Sequence, residues 1–187
     1  FWAQEIGERF GSKRAGRLLL EAFEHGGEVL PWVSRAFAVD SSNWFPKTLG
    51  QTLPQCFVSR RWYNPKPGET ILAYARHEAD GKPHQGETPF DATAAMVRFG
   101  AAAVKAAEAA GAHVTSNPAE YERIANDMRA TELVARFYAH KVDAAVAALV
   151  YQQTGAPDQL DRLVKSLRAS VDVYRDLAAL TDKTYMD

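Results

Sequence analysis

The feature that most constrains this chain is a pair of long segments sharing a helical apolar period and separated only by Gly155 and Ala156. In the first, 118–153, Tyr121, Ile124, Met128, Thr131, Ala135, Tyr138, Val142, Ala145 and Leu149 recur at steps of three and four, which places them on one side of an α-helix. Unbroken, that helix spans roughly 54 Å at 1.5 Å per residue, with Asn126 and Thr131 its weakest points. Asn117-Pro118-Ala119-Glu120 predicts its start, Asn117 as N-cap and Glu120 completing a capping box. The second segment, 157–181, opens on Pro157 and carries Leu160, Val164, Leu167, Val171, Tyr174 and Ala178 at the same spacing. A link of two residues forces the two helices to lie antiparallel.

Upstream, Thr88-Pro89-Phe90-Asp91 reads as another helix start: Thr88 caps, Pro89 takes the first helical position and Asp91 faces the positive end of the dipole. Gly111 ends that helix. Its expected core stripe is Phe90, Ala94, Val97, Ala101 and Val104, with small residues at 100–103 allowing close approach. The 20 alanines between Ala92 and Ala148 favour helix throughout, because alanine loses no side-chain rotamers. All four Trp and seven of nine Pro precede residue 90, and the first part of the chain reads less evenly. Short helices are expected over 2–10, ended by Gly11, over 13–25, ended by Gly26-Gly27, and over 28–38 with Pro31 in its first turn. Residues 39–68, with Pro46, Pro54, Pro65 and Pro67, have no sustained period and read as a long irregular excursion; such loops are usually functional or contact something else. A turn or two of helix over 69–77 and a polar loop over 78–87 complete the 39–88 region. The only strand-like alternation is at 56–59. The fold class is therefore all-α, an antiparallel helical bundle or array of 187 residues with an aromatic-rich loop.

Composition narrows the function classes. The 22 basic and 23 acidic residues leave a formal charge of -1, so no summed field attracts nucleic acid or an anionic membrane. The longest apolar runs, at 101–104 and 144–150, fall far short of the ~20 residues that span a bilayer. Phe1 opens no basic targeting segment, and the lack of an initiator Met is expected of a chain that has been processed or excised from a longer one. The single cysteine, Cys56, rules out an internal disulfide; among Leu53, Phe57 and Val58, with no basic cluster beside it, it reads as buried and inert. Neither phosphate-loop pattern is present. The carboxylate pairs Glu5/Glu8, Glu21/Glu24 and Asp172/Asp176 each share one helix face and read as solvated, since acid and base catalysis of glycoside cleavage needs carboxylates on facing elements. No catalytic residue is assigned. Of five histidines, His77 and His84 with Glu87 make the least poor metal grouping. Without HExxH or CxxC spacing nothing forces them together, so neither metal nor cofactor is expected. His140 reads as a helix-boundary residue, and His25 as a cation near a helix end.

The most informative segment pairs Ser41-Ser42-Asn43-Trp44-Phe45-Pro46 with Arg60-Arg61-Trp62-Tyr63-Asn64-Pro65. Flat aromatic faces suit pyranose C–H groups, and Asn and Arg supply planar donors for hydroxyls or a carboxylate. Asn43, Trp44, Arg61, Trp62 and Tyr63 are the candidate glycan contacts; the alternative is that the tryptophans anchor the loop to the helices or to a neighbouring protein surface.

The order of Arg9-Phe10-Gly11, the helix over 18–23, Val29-Leu30-Pro31, Phe137-Tyr138-Ala139-His140-Lys141, Ala144-Ala145, Tyr151, Thr154-Gly155, Tyr174 and Leu177 resembles the helical region that follows the catalytic barrel in large bacterial glycoside hydrolases of the α-glucuronidase-like kind. The resemblance implies a secreted or periplasmic polysaccharide-degrading protein whose acidic catalytic residues sit on a barrel. A barrel of about 250 residues does not fit within this chain. It carries no catalytic residue onto these positions. The expected function is an accessory helical module supporting a catalytic domain of the same parent chain and contributing to glycan binding. The alternative is a protein–protein interaction or oligomerisation module without catalysis.

Overall fold

The computed structural model describes residues 1–36 and 68–185, and the candidate glycan contacts Asn43, Trp44, Arg61, Trp62 and Tyr63, with Cys56, lie outside them. Six helices follow in order: α1 (Trp2–Arg9), α2 (Lys13–Ala36), α3 (Ile71–Asp80), α4 (Pro89–Gly111), α5 (Pro118–Thr154) and α6 (Pro157–Tyr185). No strand occurs among the described residues, so the fold is all-α as expected. Contacts divide the chain into two compact units, one of Phe1–Leu30, Met96–Arg136 and Val173–Asp187, the other of Pro31–Ala95 and Phe137–Asp172.

Several sequence expectations are corrected. Helix α2 runs straight through Gly26-Gly27 instead of stopping there, and Pro31 lies inside it. Glycine ends a helix only where the chain turns left-handed; here the backbone stays helical, and tertiary packing against Ala103 and Met128 outweighs the ~1 kcal/mol each glycine costs. Asn117 does precede α5, but no reciprocal box forms. Its amide donates to Arg9 O at 2.7 Å, its φ is 53°, and Glu120 accepts instead from Arg9 Nε at 2.7 and 2.8 Å. A reciprocal box forms instead at α4, where the sequence predicts only Thr88 as cap and Asp91 as a dipole partner: Asp91 N–H donates to Thr88 Oγ1 at 3.2 Å and Thr88 N–H to Asp91 Oδ2 at 2.8 Å.

The buried faces also differ. On α4 the core is Ala92, Ala95, Met96, Ala103, Ala106, Ala107 and Ala110, whereas Ala94 and Ala101 are exposed. On α6 the inward face is Ser166, Ser170, Val173 and Leu177, while Leu160, Val164, Val171 and Tyr174 are exposed. The α5 stripe holds, with Met128, Ala135, Tyr138, Val142, Ala145 and Leu149 all buried. Contacts between α5 and α6 run in opposite chain order, Asp143 with Arg162 and Ser166, Asp127 with Tyr185, so the pair is antiparallel.

In the first unit, Phe10, Ala15, Leu19 and Ala110 form one cluster and Ala22, Ala103, Ala106, Ala107 and Met128 another. Small side chains each remove little apolar area, about 0.8 kcal/mol per buried CH₂ group, but they let backbones come close. Gly100 shows how close, since a Cβ there would lie 3.0 Å from Glu132 Cα; Tyr121 reaches the same helix with its side chain, its hydroxyl donating to Ala107 O at 3.1 Å, and desolvation there pushes its phenol pKa up. Thr115 and Ser116 N–H groups both donate to Phe10 O, tying the α1–α2 corner to the start of α5.

Candidate functional site

The second unit contains the one group of metal-ligand-type side chains found among the described residues. Its frame is α3 and the 81–88 loop. Thr70 caps α3, its hydroxyl accepting from Ala73 N–H at 3.1 Å, and Glu69 sits one residue outside the helix. At the other end Gly81 adopts φ 65°, and the left-handed turn sends the loop back along α3. Glu69 N–H then donates to Glu87 O at 2.8 Å and closes the loop against the residue before the helix. Gly68 is required at that closure, since a Cβ there would lie 1.8 Å from Glu87 O.

This closure brings His77, in the last turn of α3, and His84, on the returning loop, onto the two oxygens of Glu69. His77 Nδ1 lies 2.7 Å from Glu69 Oε1, and His84 Nδ1 lies 2.7 Å from Oε2. Gln85 N–H adds a bond of 2.9 Å to Oε1. His84 Nε2 is 2.7 Å from Glu78 Oε1, so both nitrogens of this ring face carboxylate oxygens. Ionised carboxylates only accept, which makes both ring nitrogens donors and the ring an imidazolium. The Glu78 and Glu69 bonds accordingly hold the His84 pKa above its ordinary value. Burial pulls Glu69 upward, but the bonds from His84, Gln85 and His77 outweigh it and leave its pKa lowered. The Glu69 side chain is only 5% exposed, while His77 and His84 are 32% and 25% exposed, so the carboxylate is a buried anchor with two rings reaching toward solvent.

An aromatic wall fixes the second ring. Tyr74 stacks on His84 at 3.9 Å and 8°, and Phe90 meets Tyr74 edge-on at 5.1 Å. Arg162 lies over the Phe90 ring at 5.6 Å, and its Nε donates to Asp143 Oδ1 at 3.0 Å. Asp143 also accepts from Ser166, an almost buried hydroxyl, so a chain of contacts runs from α3 through α4 to α5 and α6.

From sequence, His77, His84 and Glu87 make the least poor metal grouping, but nothing in their spacing forces them together and no metal is expected. His77 and His84 do converge, but their third partner is Glu69, whereas Glu87 contributes its backbone carbonyl to the closure. The paired carboxylates Glu5/Glu8, Glu21/Glu24 and Asp172/Asp176 are all exposed, as solvated helix faces should be. His25 pairs with Glu21 at 3.8 Å and lies 6.1 Å from the Phe99 ring.

Comparison with known proteins places this architecture. Over 98% of its length the chain superposes on the solved structure of a GH138 enzyme targeting pectin rhamnogalacturonan II, with a TM-score of 0.87 and 28% identity. The fold is glycoside-hydrolase-related. The chain spans 28% of that enzyme's length. The likeness supports the glycoside hydrolase relationship expected from the motifs, without bearing on its α-glucuronidase-like kind. No family model and no curated protein matches the chain. No described helix is long and apolar enough to cross a membrane.

Proposed function

We propose that this chain is a helical module of a glycoside hydrolase that supports a catalytic part carried elsewhere on the parent protein, acting on a pectic, uronate-containing polysaccharide. The observation that carries this reading is the likeness to the pectin-targeting GH138 enzyme over nearly the whole chain but under a third of that enzyme. A second feature agrees with it. Leu160, Val164, Val171 and Tyr174 form an exposed apolar stripe along α6, the kind of surface that a module covers with another domain. Asn43, Trp44, Arg61, Trp62 and Tyr63 are the residues proposed to touch the glycan, Arg61 through the uronate carboxylate. Polymers of this size are met outside the cytoplasm, so the parent protein acts in the periplasm or beyond the cell.

The test begins with the native polypeptide, blotted from source cells with an antibody to 157–181. A mass far above 20.6 kDa is expected, and a band at 20.6 kDa overturns the reading. The parent protein should then cleave pectic polysaccharide, with Trp44→Ala and Trp62→Ala raising KM; unchanged KM in both removes the glycan contacts from the proposal.

The same α6 stripe favours a second reading, an interaction module that associates with another protein surface or a second copy. Sedimentation equilibrium separates the two: mass that rises with concentration and falls back in Val164→Glu and Val171→Glu supports association.

A further inference from the structure

We propose that Glu69, His77 and His84 hold a divalent transition-metal ion, a site independent of the glycan-processing role and of any catalytic part elsewhere. One carboxylate oxygen and one ring nitrogen from each histidine all lie within 4.8 Å of one another. Tetrahedral Zn²⁺ with bonds of ~2.0–2.1 Å sets its ligands about 3.3 Å apart, so the 2.7 Å Nδ1–O pair that includes the ligating oxygen opens by about 0.6 Å, while the other ligand separations, already within 4.8 Å, adjust to the same value. The movement is available because His77 and His84 reach the carboxylate from different elements, the end of α3 and the returning loop.

Three further observations distinguish this cluster from a chance meeting of polar groups. Glu69 is buried at its side chain and pinned by Gln85 N–H, so the anionic ligand is held before any ion arrives. Glu78 accepts from His84 Nε2, on the far side of the ring from Nδ1, the arrangement by which a carboxylate orients a metal-bound imidazole. Tyr74, stacked on the same ring, blocks its rotation. Charge also favours the ion. Glu69 and Glu78 bring two negative charges to the site; one imidazolium balances one of them, whereas a divalent ion with two neutral imidazoles balances both. On binding, His84 releases its Nδ1 proton to solvent and keeps the Nε2 proton it gives to Glu78, while the His77 proton shifts from Nδ1 to Nε2, so both rings end neutral.

Two nitrogens and one carboxylate select Zn²⁺, Co²⁺, Ni²⁺ or Fe²⁺ over Mg²⁺ and Ca²⁺, which prefer all-oxygen sets. With three protein ligands and exposed rings, the fourth position opens to solvent, as in sites where an ion holds a water molecule. Bound there, the ion links the residue before α3, the end of α3 and the 81–88 loop.

The experiment uses the full chain freed of metal with EDTA and titrated calorimetrically with zinc chloride, with cobalt(II) uptake followed by visible absorption. One Zn²⁺ per chain and tetrahedral cobalt absorption are expected. Glu78→Gln should weaken zinc binding about 10- to 100-fold while leaving the three ligands in place. His77→Ala, His84→Ala and Glu69→Gln should each lose more than about 100-fold, and His25→Ala should lose nothing. Should a ligand variant fail to fold, the wild type still decides the matter: zinc must protect His77 and His84, and not His25, from diethyl pyrocarbonate, read by peptide mass. Absence of zinc uptake by the EDTA-treated wild type, uptake unchanged in His77→Ala and His84→Ala, or equal carbethoxylation with and without zinc overturns the proposal.

Discussion

Two glycines in α2 should respond to the same substitution with opposite signs. At Gly16 an added Cβ would lie 2.2 Å from Ala3 O, 2.5 Å from Gly7 N and 2.7 Å from Gly7 Cα, all backbone atoms of α1. Ordinary contact begins at 3.4 Å, so α1 must back away by about 1.2 Å, and no rotamer change relieves the clash. Overpacking of this kind costs about 1–3 kcal/mol, and rigid backbone places Gly16→Ala at the upper end. Alanine returns about 1 kcal/mol of helix propensity, leaving a net loss of roughly 2 kcal/mol. At Gly27 nothing lies within 4 Å, so Gly27→Ala keeps only the gain, about 0.4–1 kcal/mol. For a chain of this length 1 kcal/mol moves Tm by about 2–4 °C. Thermal unfolding followed by circular dichroism should therefore show Gly16→Ala lower by about 4–8 °C and Gly27→Ala higher by about 1–4 °C. Hydrogen exchange in the Gly16 variant should loosen first over residues 2–9. If Gly16→Ala instead raises Tm, the close α1–α2 crossing is wrong.

Further outcomes test the other elements. Leu177→Ala, at a side chain 9% exposed, should cost about 2–3 kcal/mol in urea unfolding, while Leu160→Ala, 39% exposed, should stay within about 0.5 kcal/mol; equal losses contradict the orientation of α6. Thr88→Ala removes the acceptor at the start of α4 and should cost about 1 kcal/mol by the same assay, with no loss if the box does not form. In buffer containing EDTA, the Glu69 pKa sits below its ordinary 4.5, so its contribution is present above 4.5 and lost as pH falls through the lowered value. The His84 pKa sits above 6.5, so its contribution is present below 6.5 and lost as pH rises through the raised value. The urea midpoint should be highest between those two pH values and fall on either side; a profile whose alkaline limb survives in His84→Ala refutes that assignment.

The helices were legible where the signal was local. Proline at the first helical position located α4, α5 and α6 to within a residue, because Pro89, Pro118 and Pro157 remove only N–H groups that have no partner there. Their faces were legible only where large and polar residues alternate. On α5 the stripe from Met128 to Leu149 is buried as its period predicts. On α4, alanine occupies every face, so periodicity distinguishes nothing and the buried side is set by where Ala22 and Met128 can approach. On α6 Val173 and Leu177 face inward beside Ser166 and Ser170, while Leu160, Val164, Val171 and Tyr174 face outward, so apolarity alone does not mark the buried side; Ser166 and Ser170 are satisfied by Asp143 and Leu167 O, which removes the cost of burying them.

The histidine site shows why clusters escape a linear reading. Glu69 stands 8 residues from His77 and 15 from His84, and no helical or strand period relates the three. They meet because two backbone events reverse the chain, the left-handed turn at Gly81 and the closure of Glu69 N–H on Glu87 O. Each event left a trace in sequence: Gly81 stands where a C-terminal glycine ends the short helix begun at Ile71, and Gly68 stands immediately ahead of Glu69 and the capping Thr70. Read together, those glycines mark a segment whose ends must touch. A carboxylate at its first residue then faces whatever the returning loop carries, and here that is His84.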